Sequence, residues 1–481
     1  MATIPKKETI EAANAMRNET STHLANAIRD KMPAEFRNDV SRCDGTLEGL
    51  RGFGDAVTSY DAYYTPFMKL LGRIAFVVVK NALFENPFAI FKKGILEYGE
   101  SIEEIFIQMA EPHQYDKLDD LPEWHMLKEE STEIETAFYR INYQVYYKKS
   151  IRKREVKMAF LSENGVADLI DRIVQTMYQA ATLDNYLIVM YMLGRKIVEG
   201  KMRSVYVDDT NMDKFMGYIR GLSNDLSLPA GSNYTESGVI NPTPITKQVV
   251  LISSWFEGTL DAESLAYAFH DDKVNFLQRK LVINKFSDID FNRVKKLLST
   301  KKGQVFKPFT TEELNFLDSI KVIDVSEDYF MLYTAEYEMT DFFNGEKLGW
   351  NYWLHDWEII ATSPFETAVA ITSIDNSQGV NITINPSNVS ISEFNKIIPV
   401  TVTVSGGVGI TKKADFFIKS ITGNYIPVWE EVSDNVINLK VLKPESGNYE
   451  AGTFNLVATV TLPNGTKKTN QIVVTVNAPN T

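Results

Sequence analysis

GVADLIDRIVQTMYQAATLDNYLIVMYMLGRKIVEG, Gly165 to Gly200, decides how the rest of the chain is read. Val166, Leu169, Ile170, Ile173, Val174, Met177, Ala180 and Ala181 recur at three- and four-residue steps, the period of one helix face. No proline interrupts the stretch, and Asn164 or Ser162 can cap its start. Asp168 and Asp171 sit early, where the helix dipole favours anions, and Arg195, Lys196 and Gly200 close the far end. At about 1.5 Å per residue the rod spans roughly 50 Å. Its second half, YLIVMYML (Tyr186 to Leu193), is apolar on nearly every side, which predicts fuller burial. Asp184 and Arg195 bracket that run, which is far shorter than the roughly 20 residues of a membrane span. Taken alone, this is a central helix in some α/β domain.

The flank before the helix is unusual in charge. From Glu97 to Glu135 there are thirteen acidic residues against Lys117 and Lys128 alone. KKSIRKREVK, Lys148 to Lys157, then carries six basic residues against Glu155. The region opens at Asn86 with short alternating strands and turn glycines at Gly94 and Gly99. Two readings stand: an extended arm whose acidic part meets a basic part of another copy, or two solvated faces. Before it, FMKLLGRIAFVVVKNALF (Phe67 to Phe84) enters a core as helix then strand, and residues 1–55 are polar and helix-prone.

After the helix a mixed region runs from Lys201 to Gly345. It holds a strand at MRSVYVDD and a helix around NMDKFMGYIRGLSNDLSL. A second helix is expected at LDAESLAYAFH with Asp261 as its cap, then strands at KLVINKF and DYFMLYTAEYEM. The stretch between Ser287 and Ser319 is Lys-rich, helix-prone and looks like an insertion. GWNYWLHDWEII (Gly349 to Ile360) returns the chain to the core, where Trp350, Tyr352, Trp353 and Trp357 supply apolar area.

The composition changes near Ser373. The last 109 residues contain no Arg, His, Met or Cys, and eight Lys balance eight Asp plus Glu. Short alternating segments from VNITI to QIVVTV follow at the spacing of an immunoglobulin-like sandwich. Trp429, Phe416 and Phe454 are its candidate core, and Asn464-Gly465 is a hairpin signal, since both residues tolerate the positive φ of a tight turn.

Length and charge bound the function. A chain of 481 residues can hold two to four domains, and a net charge of −13 argues against a surface built to grip nucleic acid. Cys43 is the only cysteine, so neither an intrachain disulfide nor a thiolate metal cluster is available. The start MATIPKKETIEAANAM has no apolar secretory core, which predicts synthesis in the cytoplasm. No catalytic or metal constellation emerges, and no cofactor is expected. The histidines His23, His113, His125, His270 and His355 lack metal-ligand spacing, and Gly406 to Gly409 lacks the phosphate-loop ending. His355-Asp356 beside tryptophans is better read as a packed aromatic strand than as a sugar site.

Two segments carry a specific likeness. NPFAIFKKGILEYGESIEEIFIQMAEPHQYD (Asn86 to Asp116) resembles major capsid proteins of small, short-tailed, protein-primed bacteriophages, with NP-x3-FKKG, then G-x-x-IEEI, then QYD. GWNYWLHDWEIIATSPFETAVAI (Gly349 to Ile371) is similar to their WNY-x3-H-x-W segment. LPAGSNY, LDAESLAYAF and YFMLY match in the same order, so the resemblance spans Leu70 to Ser373.

The resemblance implies an α+β Hong Kong 97-like capsid fold followed by the immunoglobulin-like sandwich. It assigns residues 1–55 to an N-terminal arm, 86–154 to an extended E-loop, and 56–85, 155–200 and 346–372 to a peripheral domain with a spine helix. Residues 201–345 become an axial domain with an insertion near 287–319, and 373–481 the sandwich. Phe91, Lys92, Lys93, Ile102, Glu103 and Glu104 are then expected in an intersubunit arm. Lys148, Lys149, Arg152, Lys153 and Arg154 are expected in the basic patch that receives it. The implied function is a shell of pentamers and hexamers enclosing double-stranded phage DNA without specific binding. Scaffolding and portal proteins are its implied partners, with a host-surface glycan as a candidate ligand of the sandwich and no membrane. A tail or surface adhesin should instead show fibrous repeats, and a carbohydrate-active enzyme two poised carboxylates in an aromatic cleft.

Overall fold

The computed structural model describes most of residues 25–477; outside the described residues are 1–24, 27–28, 31–33, 60–62, 65–66, 69–84, 97–100, 108–133, 162–164, 211, 230–233, 264–278, 299–305, 378, 434, 444–447 and 478–481. Most of the acidic run, the strand expected within Phe67 to Phe84 and the cap expected at Asn164 or Ser162 therefore lie outside the described residues.

Helices α1 (Ala34–Asp39) and α2 (Leu47–Ser59) come first. A 3-10 turn over Pro87–Phe91 leads into β1 (Lys92–Ile95), followed by β2 (Ser101–Ile107), β3 (Ile134–Arg140) and β4 (Tyr143–Arg152). β4 passes straight into α3 (Lys153–Ala159), and the long helix is α4 (Gly165–Val198). It is continuous through Asp184 and Asn185. Every residue from Tyr186 to Leu193 is buried, as the all-round apolar run requires. At this density of packing, truncating Leu193 to alanine would cost roughly 2–5 kcal/mol. Gly200 ends the helix with φ +71, a left-handed value that favours glycine.

Next are β5 (Arg203–Tyr206), α5 (Met212–Leu226), β6 (Gln248–Ser253) and α6 (Ser254–Glu263). Here one expectation is corrected. The chain enters α6 directly from β6, with Glu257 in its first turn, so Asp261 lies inside the helix rather than capping it. β7 (Lys280–Ile283), α7 (Phe291–Leu298) and α8 (Thr311–Asp318) follow. The last is capped reciprocally: Glu313 N–H donates to Thr310 Oγ1 at 3.2 Å and Thr310 N–H to Glu313 Oε2 at 2.8 Å. The Lys-rich stretch holding these two helices is no loose excursion, because Val294, Leu298, Phe316 and Leu317 belong to the central core.

β8 (Ile320–Ser326), the long β9 (Phe330–Asn344), β10 (Gly349–Thr362) and β11 (Ala368–Thr372) complete the body. Two sheets organise it. One is four-stranded in the order β1-β9-β10-β4, the other five-stranded in the order β5-β11-β8-β6-β7. The buried half of α4 packs with residues of both, including Leu251, Ile323, Phe330 and Ile360, in one core. A second core collects α2, Tyr64, Phe67, Phe160, Tyr178, Trp350 and Tyr352. Trp350 and Tyr352 are therefore core residues as expected, whereas Trp353 and Trp357 are only half-buried because they point to the other face of β10.

The last region is all β: β12 (Asn381–Asn385), β13 (Val389–Ile391), β14 (Ile398–Ser405), β15 (Asp415–Lys419), β16 (Ile426–Ser433), β17 (Val436–Leu442), β18 (Gly452–Thr461) and β19 (Lys467–Val476). They form two four-stranded sheets, β12-β14-β17-β16 and β13-β19-β18-β15, around one core. Phe454 and Phe416 are buried there, while Trp429 is half-buried with its ring 5.7 Å from Phe416. The hairpin expected at Asn464-Gly465 joins β18 to β19. Its loop runs from Leu462 to Thr466, and only Gly465 has positive φ, at +78. Asn464 instead accepts the Thr466 N–H with its side chain at 3.0 Å, an Asx turn that needs no left-handed backbone.

Candidate assembly interface

The arm begins on a rigid root. Asn86 Oδ1 accepts the Phe88 N–H at 2.9 Å, starting the 3-10 turn that buries Phe88 and Phe91. The Phe91 ring lies 4.5 Å from that of Phe330. Lys92 Nζ then reaches Glu358 Oε1 at 2.5 Å, and Asn185 Nδ2 of the long helix donates to the same oxygen at 3.0 Å. Lys93 Nζ is 3.2 Å from Asp328 Oδ1. Within the subunit, the buried Phe91 ring and the ammonium groups of Lys92 and Lys93, paired with Glu358 and Asp328, hold the base of the arm.

Beyond the root, β2 and β3 pair antiparallel from Ser101↔Arg140 to Ile107↔Ile134. The pleat divides the ribbon into two faces. Ile102, Glu104 and Phe106 face the body with Tyr139. Tyr139 Oη donates to Glu104 Oε2 at 2.5 Å, Ser363 Oγ donates to Glu104 Oε1 at 2.9 Å, and the Phe106 ring stacks 5.6 Å from Phe365. Burial and the adjacent Glu104 carboxylate push the Tyr139 phenol far up, so it remains a donor. The opposite face carries Glu103, Ile105, Ile107, Ile134 and Phe138, with Ile105 57% and Phe138 63% exposed. Ile102 and Glu104 therefore fasten the ribbon, while Glu103 belongs to the free face. The four exposed apolar residues were not singled out from sequence. Their alternation across β2 and β3 was the available signal, and the surrounding acidic residues masked it.

β4 is an edge strand of its sheet, paired with β10 from Tyr143↔Glu358 to Arg152↔Gly349. Its basic residues split by the same pleat. Lys148 and Arg152 are exposed on one face with Tyr146, and Lys149 is half-buried on the other. Lys148 Nζ sits 5.3 Å from the Trp353 ring centre and Lys153 Nζ 5.2 Å from that of Tyr64. Arg154 is exposed on α3. Among the described residues, Lys148, Lys149, Arg152 and Arg154 pair with no carboxylate, and β4 is an edge strand of its sheet.

Behind β4 lies a buried polar cluster. Tyr147 Oη donates to Asp184 Oδ2 at 2.8 Å, Arg293 pairs with Asp184, and the Tyr143 and Tyr147 hydroxyls are 3.1 Å apart. Asp356 is 0% exposed, and burial together with the Glu358 charge holds its carboxyl well above the usual carboxylate range. With Glu358 only 2% exposed as well, neither carboxylate opens to a cleft where a glycan could reach it. The cluster braces helix, sheet and arm root against one another.

Comparison with known proteins finds clear relatives. A family model described as Phi29-like phage major capsid protein matches residues 25–372. The major capsid protein of Bacillus phage GA-1 is 28% identical over 359 residues, covering 73% of this chain and 69% of that one. That of Bacillus phage B103 is 26% identical over 381 residues, 78% of each chain. A chain of the Staphylococcus phage Andhra capsid structure superposes with a TM-score of 0.46 at 13% identity, covering 62% of this chain and 86% of that one.

Proposed function

The chain belongs to the Phi29-like phage major capsid protein family, and on that premise we propose how it builds a shell. It is a structural protein of the virion, the major capsid protein forming the phage head shell, and not an enzyme. The reading adopted for its architecture is the Hong Kong 97-type fold. Residues 56–85, 155–200 and 346–372 act as the peripheral domain, 86–154 as the E-loop, 201–345 as the axial domain and 373–481 as an immunoglobulin-like module.

One observation supports the assembly mechanism: the outer face of the β2–β3 ribbon is apolar and exposed, with Ile105, Ile107, Ile134 and Phe138 all in water. A two-stranded ribbon has too little core to stand alone with such a face in water. A second copy supplies the cover. Ile105, Ile107, Ile134 and Phe138 bury against it, and Glu103 with the acidic run meets Lys148, Lys149, Arg152 and Arg154 of the neighbour. Contacts of this head-to-tail kind close into rings, here pentamers and hexamers, and many modest contacts make the shell hard to undo.

Scaffolding and portal proteins are the partners such assembly needs. The acidic chain keeps packaged double-stranded DNA mobile, with repulsion screened within about 8 Å at physiological salt. On the outer surface, the C-terminal module is placed to brace neighbours or to bind a host-surface glycan. The test is a zero-length carboxyl–amine crosslink on particles assembled from a mixture of light and heavy isotope-labelled chains. Links between Glu103 and Lys148 or Lys149 that join light to heavy chains are expected. Links confined to single chains would refute the arm exchange.

A further inference from the structure

The C-terminal sandwich does more than hang from the body. Its loop between β14 and β15 reaches into the body and closes the end of the long helix. Val408 packs against the central core while Ile410, two residues on, is buried in the sandwich core. Between them, Gly409 N–H donates to Val198 O at 3.2 Å. Val198 is the last residue of α4, so its carbonyl has no partner within the helix, and the sandwich provides one.

The approach is too close for side chains. Gly409 has φ +71, and a Cβ there would lie 2.1 Å from the Phe316 ring of α8. At Gly200, also at φ +71, a Cβ would lie 1.9 Å from the Ile410 carbonyl oxygen. Glycine at both positions lets two backbones meet at one point, one from each unit. Lys413 Nζ extends the contact by donating to Ser237 O at 3.0 Å.

A second contact lies on the five-stranded sheet. β5 is its edge strand, and an exposed edge offers unpaired backbone groups to any other chain. Tyr206 N–H donates to Pro463 O of the last hairpin loop at 2.8 Å, and the neighbouring Asn464 Nδ2 donates to Asp375 Oδ2 at 3.1 Å. Helix end and sheet edge are therefore both held by loops of the sandwich.

We infer that the C-terminal sandwich is a built-in clamp, which fixes the end of the long helix to the edge of the five-stranded sheet within its own subunit. It joins two separately packed cores, so its role is exerted in every copy of the chain before any outside ligand is met. This differs from a tethered receptor-binding module, which would touch the body only through its linker. It is also independent of how the arm contacts a neighbour.

The clamp is tested by hydrogen exchange on the full chain and on two variants, Gly409→Leu, which collides with Phe316, and Val408→Asp, which charges the core contact. In both, the amides of Tyr206 and of residues 199–202 are expected to exchange on the order of tenfold faster or more. Ile437 and Leu439, inside the sandwich core, are expected to keep their protection, which separates undocking from unfolding. Unchanged exchange at Tyr206 and residues 199–202 in both variants would overturn the inference. So would joint loss of protection in both cores, because the clamp requires each core to stand by itself.

Discussion

Lys92 and Glu358 lie 266 positions apart and meet at 2.5 Å, tying the first strand of the arm to β10, an inner strand of the same four-stranded sheet. Glu358 is buried, shares its oxygen with Asn185, and stands beside a second buried carboxylate at Asp356. Removing the ammonium leaves two buried acids without a cation. Breaking such a pair costs about 3–5 kcal/mol when both partners are buried; with Lys92 partly exposed, Lys92→Met is expected to cost roughly 2–3 kcal/mol in urea unfolding. Lys92→Met combined with Glu358→Gln should recover part of the loss, because the orphaned charge is gone.

The arm's free face makes a different prediction. Ile105→Asp and Phe138→Asp alter residues that the subunit itself leaves in water, so the unfolding free energy of the isolated chain should change by no more than about 0.5 kcal/mol. Shell formation should fail, scored by sedimentation. Destabilisation of the isolated chain by several kcal/mol would mean that the face is covered within the subunit.

How much of this was legible follows from the range of each signal. The long helix and the sandwich strands are local patterns, and Val166 to Ala181 or Asn381 to Val476 announce their period over a few residues. The pairing of Lys92 with Glu358 was not legible, because a lysine's partner is invisible when it lies hundreds of residues away. Trp429 and Trp353 look like core in sequence, since a tryptophan's burial depends on which way the pleat turns it. The clamp was hidden for a similar reason: Gly200 and Gly409 read as an ordinary helix end and an ordinary turn until their backbones are seen touching.

Asp324 in β8 gives a pH prediction. It is 1% exposed, both carboxylate oxygens lack a hydrogen-bond partner among the described residues, and burial raises its pKa to about 8. Unfolded, it should titrate near the ordinary carboxylate value of about 3.9. The folded chain thus holds one more proton between these values. Stability from this group is fully present below about pH 4 and is lost as pH rises towards 8, at no more than about 1.4 kcal/mol per pH unit. Asp324→Asn should abolish that slope and raise stability at pH 8, measured by denaturant unfolding across pH 5 to 9. An unchanged slope would place the titration elsewhere.

Salt should act on the basic edge. If Lys148, Lys149, Arg152 and Arg154 receive the acidic arm, assembly at 0.5 M NaCl should be slower than at 0.1 M, because screening shortens from about 10 Å at the lower salt. Lys148→Glu with Arg152→Glu should suppress assembly at low salt and lose its own salt sensitivity, both followed by light scattering.

The most direct measurement is electron microscopy of the purified full chain over a rising concentration series, with and without Phe138→Asp. The account predicts rings, sheets or closed shells from the unaltered chain and monomers from the variant. A chain that stays monomeric at every concentration, or a variant that assembles as well as the original, would contradict it.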